Sequence, residues 1–220
     1  MTEGNTELNS QGALEIPNGR RIGESAGEGD RFFESVAQGM NELRISGRPI
    51  DVNLLRQACF NYADRKQYIY DSQSHKTWRQ TIEEDAGAGM YTTNKRQEQA
   101  HFHIYMANIG LRAAESSHLG GAICGRPEIE GRMLCQIYGE KIHIIENFHS
   151  SGQEFFGHQL VDISSSRSPD KHSSLYSATQ IIHILNEGLC HFVPILRTTS
   201  VPSKSIEKEA HLPPSEGIKT

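Results

Sequence analysis

Residues able to do chemistry concentrate at two places in this chain. The first is Glu28-Gly29-Asp30-Arg31-Phe32-Phe33-Glu34-Ser35-Val36-Ala37-Gln38-Gly39-Met40. A glycine-rich approach (Gly23, Gly27, Gly29) runs into apolar residues at 32, 33, 36, 37, 40 and 43. That spacing predicts a helix, with Asp30 at its N-cap. A loop that turns into a helix N-terminus presents backbone N–H donors and the positive end of a dipole. A thiol placed there is held as a thiolate and becomes a nucleophile. The residue standing there is Arg31, whose guanidinium keeps its proton in a protein and cannot attack a carbonyl. The second place is Asn186-Glu187-Gly188-Leu189-Cys190-His191-Phe192. His191 sits at the open end of a turn and can act as a base. Cys190 is its direct neighbour, and adjacent residues in a strand point to opposite faces, so His191 does not activate it.

Other candidates carry less. His101 and His103 form an HxH pair, which on a strand would share one face. Metal ligation needs a third and a fourth ligand, and none stands at a recognisable spacing. Surface or half-buried histidines are the plainer account, and no metal and no cofactor is expected. Cys59 lies within the apolar face of a predicted helix and reads as core. The cysteines (Cys59, Cys124, Cys135, Cys190) form no CxxC and no dense framework. Reduced, mostly buried thiols follow, and with them a reducing, cytoplasmic compartment.

The elements that must position these residues come next. Pro49 and Asp51 signal the start of a second helix, with Leu54, Leu55, Ala58, Cys59 and Tyr62 as its apolar face. Thr77 to Asp85 reads as a short helix with Trp78 and Ile82 as anchors, broken at Gly87 to Gly89. Residues 94 to 111 read as helix or strand, with helix preferred. Pro127 opens a helix with Ile129, Met133, Leu134 and Ile137 inward, Glu128 and Glu130 at the dipole, and Gly139 as the stop. Lys141 to Glu146 is a strand, and 147 to 173 a long loop holding at most a short strand. Thr179 to Leu185 and Cys190 to Leu196 form a β-hairpin.

Length and composition bound the whole. The chain has 220 residues, is 36% hydrophobic and 22% charged, and carries a formal net charge of -5. Those values fit one globular domain with tails. Residues 1–20 are polar and aperiodic and read as a disordered N-terminal arm, 21–197 as the folded domain, and 198–220 as a disordered C-terminal tail. The charge argues against a nucleic-acid partner. No apolar run reaches about 18 residues, so no membrane span is expected.

Gly29 to Met40 resembles the nucleophile motif of the ovarian-tumour (OTU) family of cysteine proteases. That motif is roughly acidic–Gly–polar–Cys–apolar–Phe–x–(Ala/Ser)–(Val/Leu/Ile)–Ala, and Arg31 stands at the cysteine. Asn186 to Leu196 is similar to the family's terminal strand, where His191 matches the catalytic histidine before an aromatic. Gly125-Arg126-Pro127-Glu128-Ile129-Glu130 resembles the family's Trp-Gly…Glu segment, with Cys124 in place of Trp. The resemblance runs over about 25 to 197. It implies an α/β (α+β) fold of the OTU-like, papain type, with a central mixed or antiparallel sheet flanked by helices. It implies a deubiquitinase, a cysteine isopeptidase acting on ubiquitin or a ubiquitin-like protein. Backbone donors near Gly29 and Asp30 would hold the oxyanion, and Glu28, Gly125 and Glu187 would line the channel for the ubiquitin tail.

Two departures stand out. Arg31 removes the nucleophile, so the chain as written is expected to be catalytically dead. The family often orients its histidine with Asp or Asn two residues later, and that place is Val193. Arg31 is either an inactivating substitution in a deubiquitinase or the natural residue of a pseudo-protease that serves as a ubiquitin-binding or interaction module.

Overall fold

An isoleucine-rich run, Ile142 to Ile145, and a second, Ile181 to Ile184, each interrupted by one histidine, make the centre of the molecule. In the computed structural model, which describes residues 14–27, 29–71, 75–87, 95–116, 123–150, 153–162, 166–167, 181–188 and 191–198, these runs are neighbouring strands. In chain order the elements are β1 (Arg20–Ile22), α1 (Arg31–Leu43), α2 (Val52–Lys66), β2 (Tyr70–Asp71), β3 (Lys76–Thr77), α3 (Trp78–Gly87), α4 (Lys95–Ile109) and α5 (Ala113–Ser116). A π-helical turn (Pro127–Gly131), α6 (Arg132–Tyr138), β4 (Lys141–Ser150), β5 (Gln153–Val161), β6 (Ser166–Arg167), β7 (Ile181–Asn186) and β8 (Phe192–Arg197) follow.

Six strands form one mixed sheet in the order β1-β8-β7-β4-β5-β6. β4 and β7 run parallel, and every other pair is antiparallel. β2 and β3 make a separate ribbon. Alternation along the strands divides the apolar residues between two faces. Ile142, Ile144, Ile182, Ile184 and Phe192 join the main core with residues from α1, α2, α3, α4 and α6. Ile145, Leu185, Val193 and Ile195 form a smaller cluster on the other face, against Leu14, Ile16 and Phe156. Leu14 and Ile16 thus pack although they lie before the boundary set at 21. Residues 1–13 and 199–220 lie outside the described residues. No described helix is long and apolar enough to cross a membrane.

Most predicted helices are found, with shifted faces. Asp51 caps α2 as expected, accepting from the Leu54 amide at 2.8 Å. Leu54 itself is 47% exposed, and the buried place on that turn goes to Leu55 and Arg56. Residues 95 to 109 are helix, so His101 and His103 do not share a face. His103 is exposed, and His101 is half-buried. The helix expected from Pro127 begins as a π turn, and Ile137 faces outward at 38% exposure. The loop expected over 147 to 173 is in part a long hairpin, since β4 runs on to Ser150 and β5 spans nine residues. Gly157 hides this strand in the sequence. In the fold it makes room for Phe148, whose ring carbon lies 2.9 Å from where a Cβ would be. Cys59 and Cys135 are buried free thiols, as read from the sequence. Cys124 is half-buried, and Cys190 lies outside the described residues.

Candidate active site

The helix predicted after Gly29 is α1, and Arg31 is its first residue. Phe32, Phe33, Val36 and Met40 are almost fully buried and fix its rotation on the sheet. Asp30 occupies the N-cap position but makes no side-chain cap bond. Its carboxylate turns inward instead. It accepts from Arg56 Nε at 2.8 Å, from Arg112 Nε at 2.7 Å and from the Ala113 amide at 3.2 Å. The Asp30 amide donates to the Gly27 carbonyl at 3.2 Å. Asp30 therefore braces the loop, and its amide is already engaged rather than free to hold an oxyanion.

Arg56 is the counterpart of that brace. It is fully buried, on a helix face where the sequence placed apolar residues. Its Nη2 donates to the Gly29 carbonyl at 3.1 Å and the Ile123 carbonyl at 2.7 Å. Its guanidinium carbon lies 4.4 Å from the centre of the Phe33 ring. One cation thus ties the 29–30 loop to the 123–126 loop, and a buried charge with this many partners avoids an unpaired desolvation cost. Gly29 has φ of 76° and Gly125 has φ of 82°, both in the left-handed region that favours glycine. A Cβ on Gly125 would lie 2.5 Å from the Phe32 ring, so glycine is also what lets this loop reach α1.

The preceding loop is pinned from α1. Glu34 accepts from the Gly27 amide at 3.0 Å and from Ser25 Oγ at 3.1 Å. Glu24 is exposed, and its carbonyl accepts from Gln38 at 2.9 Å. Glu28 lies outside the described residues. Beyond Gly125, Glu130 is fully buried. It accepts from the Arg126 amide at 2.7 Å and meets the Arg126 guanidinium at 3.1 Å. It braces the loop, where the sequence suggested only a dipole role.

His191 arrives from the opposite end of the chain. The Arg31 guanidinium lies against both of its ring nitrogens. Glu187 Oε2 is 3.4 Å from His191 Nε2. The turn that joins these two is closed by the Glu187 amide on the His191 carbonyl at 2.8 Å and the His191 amide on the Gly188 carbonyl at 2.9 Å. Asn186 caps it, accepting from the Gly188 amide at 3.0 Å and donating to Glu146 at 2.7 Å. Val193 is buried in the second apolar cluster. The sequence placed Glu187 in a channel. The structure places it on the histidine, where an acid had been sought two residues after His191.

Arg31, His191 and Glu187 are therefore brought together, with Gly29, Asp30 and Gly125 in the loops that support Arg31. Neither buried thiol among the described residues, Cys59 or Cys135, is suited to nucleophilic attack. Burial pushes the Cys59 thiol well up, and pushes that of Cys135 up to about 12.

Neither a protein-family model nor a curated protein matches the chain. Solved structures do. An OTU deubiquitinase from Wolbachia pipientis wMel matches with a TM-score of 0.58 at 24% identity, over 83% of this chain and 91% of that one. The same organism's OTU deubiquitinase bound to ubiquitin matches with a TM-score of 0.55 at 25% identity, over 83% of this chain and 98% of that one. Its central mixed sheet, its helical face and its coverage of those structures give this chain the fold of the OTU deubiquitinases.

Proposed function

We propose that this chain is an OTU-type deubiquitinase scaffold, a cysteine isopeptidase for ubiquitin or a ubiquitin-like protein, stopped by Arg31 at the nucleophile position. The observation that carries this reading is the contact of Arg31, first residue of α1, with His191, 160 residues away. In the reaction a thiolate at position 31 attacks the isopeptide carbonyl after ubiquitin's terminal glycine. His191 takes the thiol proton and returns it to the leaving amine, and backbone N–H groups around Gly29 and Arg31, rather than that of Asp30, hold the oxyanion. The likeness to a ubiquitin-bound OTU deubiquitinase supports ubiquitin as the ligand. Acidic Glu24 and Glu28 on the approach to Arg31 suit the basic tail of ubiquitin.

Arg31 blocks the channel as well as the chemistry, because its long charged side chain ends on His191. Arg31→Ala is expected to bind ubiquitin more tightly than the chain as written, measured by titration calorimetry. The unaltered chain is expected to leave diubiquitin intact and to stay unlabelled by a ubiquitin probe with an electrophilic C-terminus. Equal or weaker binding by the alanine form counts against a channel at Arg31, and labelling at Cys59, Cys124, Cys135 or Cys190 places the site elsewhere.

Glu187 is the positioning acid in this reading. Its carboxylate lies 3.4 Å from Nε2 and holds the His191 ring against position 31, whose side chain meets both ring nitrogens. Both side chains are nearly half exposed, so the pair is worth little as stability. In an Arg31→Cys background, Glu187→Gln is expected to lower kcat about two- to fivefold with KM unchanged, the size of an exposed charge pair. An unchanged kcat removes Glu187 from the mechanism.

Val193 favours a second reading. The place where the family often carries Asp or Asn is filled by a buried apolar residue. A natural pseudo-protease, freed from catalysis and kept as a ubiquitin-binding module, accounts for both Arg31 and Val193.

A further inference from the structure

On the sheet face away from the helices, three histidines form a continuous row. His143 of β4 and His183 of β7 are register partners, with Nδ1 atoms 2.9 Å apart. His143 Nε2 is 3.1 Å from Nδ1 of His158 on β5, and these two rings stack with centroids 5.3 Å apart. His143 is 0% exposed and His183 1%. The row does not suit a metal ion, because His143 commits both ring nitrogens to different neighbours and the three rings do not converge on one point. It suits neutral imidazoles, each contact using one N–H and one lone pair.

The surrounding charges do little to welcome a proton. Arg20 of β1 opposes charge on both His143 and His183. Glu42 of α1 pairs with Arg20 at 3.3 Å, and Arg197 of β8 repels it. Among the described residues, Glu15 attracts charge on His158 at the rim. Burial first, then His183, His158 and Arg20, push His143 down from 6.5 to about 3. Burial and Arg20 push His183 down from 6.5 to about 3 as well. Above pH 6.5 the rings are neutral whether covered or open. Below it an open state takes protons that the covered state refuses, so covering loses stability as pH falls from 6.5 towards 3.

Among the described residues, the segment ahead of β1 packs on this face. Leu14 and Ile16 pack on Ile145, Leu185, Val193 and Ile195. β1 is held by a three-residue ladder to β8. The core on the helical face is far larger and has no part in the row. We propose that the segment from Leu14 through β1 is an acid-released cover, which leaves the histidine row at mildly acidic pH while the helical face stays folded.

Hydrogen exchange on the full chain tests this without any assay of activity. The reporters are the amides of Arg20, Gly23 and Thr198, bonded to the carbonyls of Pro17, Pro194 and Gly19. Their protection, corrected for intrinsic exchange, is expected to fall at least tenfold between pH 7 and pH 5, while the amides of α1 hold theirs. His158→Gln with His183→Gln is expected to keep the reporters protected at pH 5. If that pair fails to fold, His158→Gln alone is expected to lessen the loss. Unchanged protection at pH 5, or loss together with α1, overturns the proposal whether or not the chain binds ubiquitin.

Discussion

Arg31→Cys is expected to cleave diubiquitin at least about 10⁴-fold faster than the chain with arginine, the scale on which loss of a nucleophile is felt in triad enzymes. The new thiol would stand at the first position of α1, in the positive end of the helix dipole and beside His191, and both lower a thiol's pKa. The supports of the site do not depend on the side chain at 31. Asp30 keeps its bonds to Arg56 and Arg112, and Glu34 keeps the Gly27 amide. Adding His191→Ala to Arg31→Cys should return the rate nearly to background. General-base catalysis is worth about 10² to 10⁴-fold, and the thiolate also loses its ion-pair partner. A folded Arg31→Cys protein without cleavage rules out the inactivated-enzyme reading and leaves the ubiquitin-binding module.

The second large effect concerns stability. Asp30→Ala is expected to cost about 3–5 kcal/mol in urea unfolding, because removing one partner leaves a buried charge uncompensated. Arg56 is that charge, fully buried with a carboxylate oxygen 2.6 Å away. Against a typical stability of about 5–15 kcal/mol, the loss is a large share of the total. Arg112→Ala is the control. Its side chain is 40% exposed, water replaces what it loses, and the cost should stay within about 1 kcal/mol. An Asp30→Ala cost below about 1 kcal/mol would show that packing, rather than this ion pair, holds the loop.

These residues also mark the limit of what the sequence discloses. α1 was readable because its apolar spacing and its glycine approach agree, and the two end motifs of the resemblance led to Arg31 and His191. Arg56 and Glu130 were not readable. A charged residue on a helix scores as solvent-facing, and its burial depends on a partner elsewhere, here Asp30 at 26 positions' distance. β5 was missed because Gly157 weakens the strand pattern and Phe148 makes up the packing from the next strand. β1 has three residues and no pattern of its own, and it is a strand only because β8 offers an edge. The histidine row did leave a signal. Ile-His-Ile occurs at 142–144 and again at 182–184, and two such runs paired in register must set their histidines side by side.

The pairing of Arg31 with His191 spans 160 positions, and the ladder of β1 with β8 joins Arg20 to Arg197. Such distant contacts are the slowest to form, because the intervening chain must be organised first. At about 5–20 residues per second of synthesis, His191 leaves the ribosome roughly 8–32 s after residue 31. During that interval β1 has no strand to pair with, and α1 has only part of its sheet to lie on. The groups that would recognise ubiquitin therefore meet only when the last strand closes the sheet. A nascent or C-terminally clipped chain would carry the first motif complete and yet have no site.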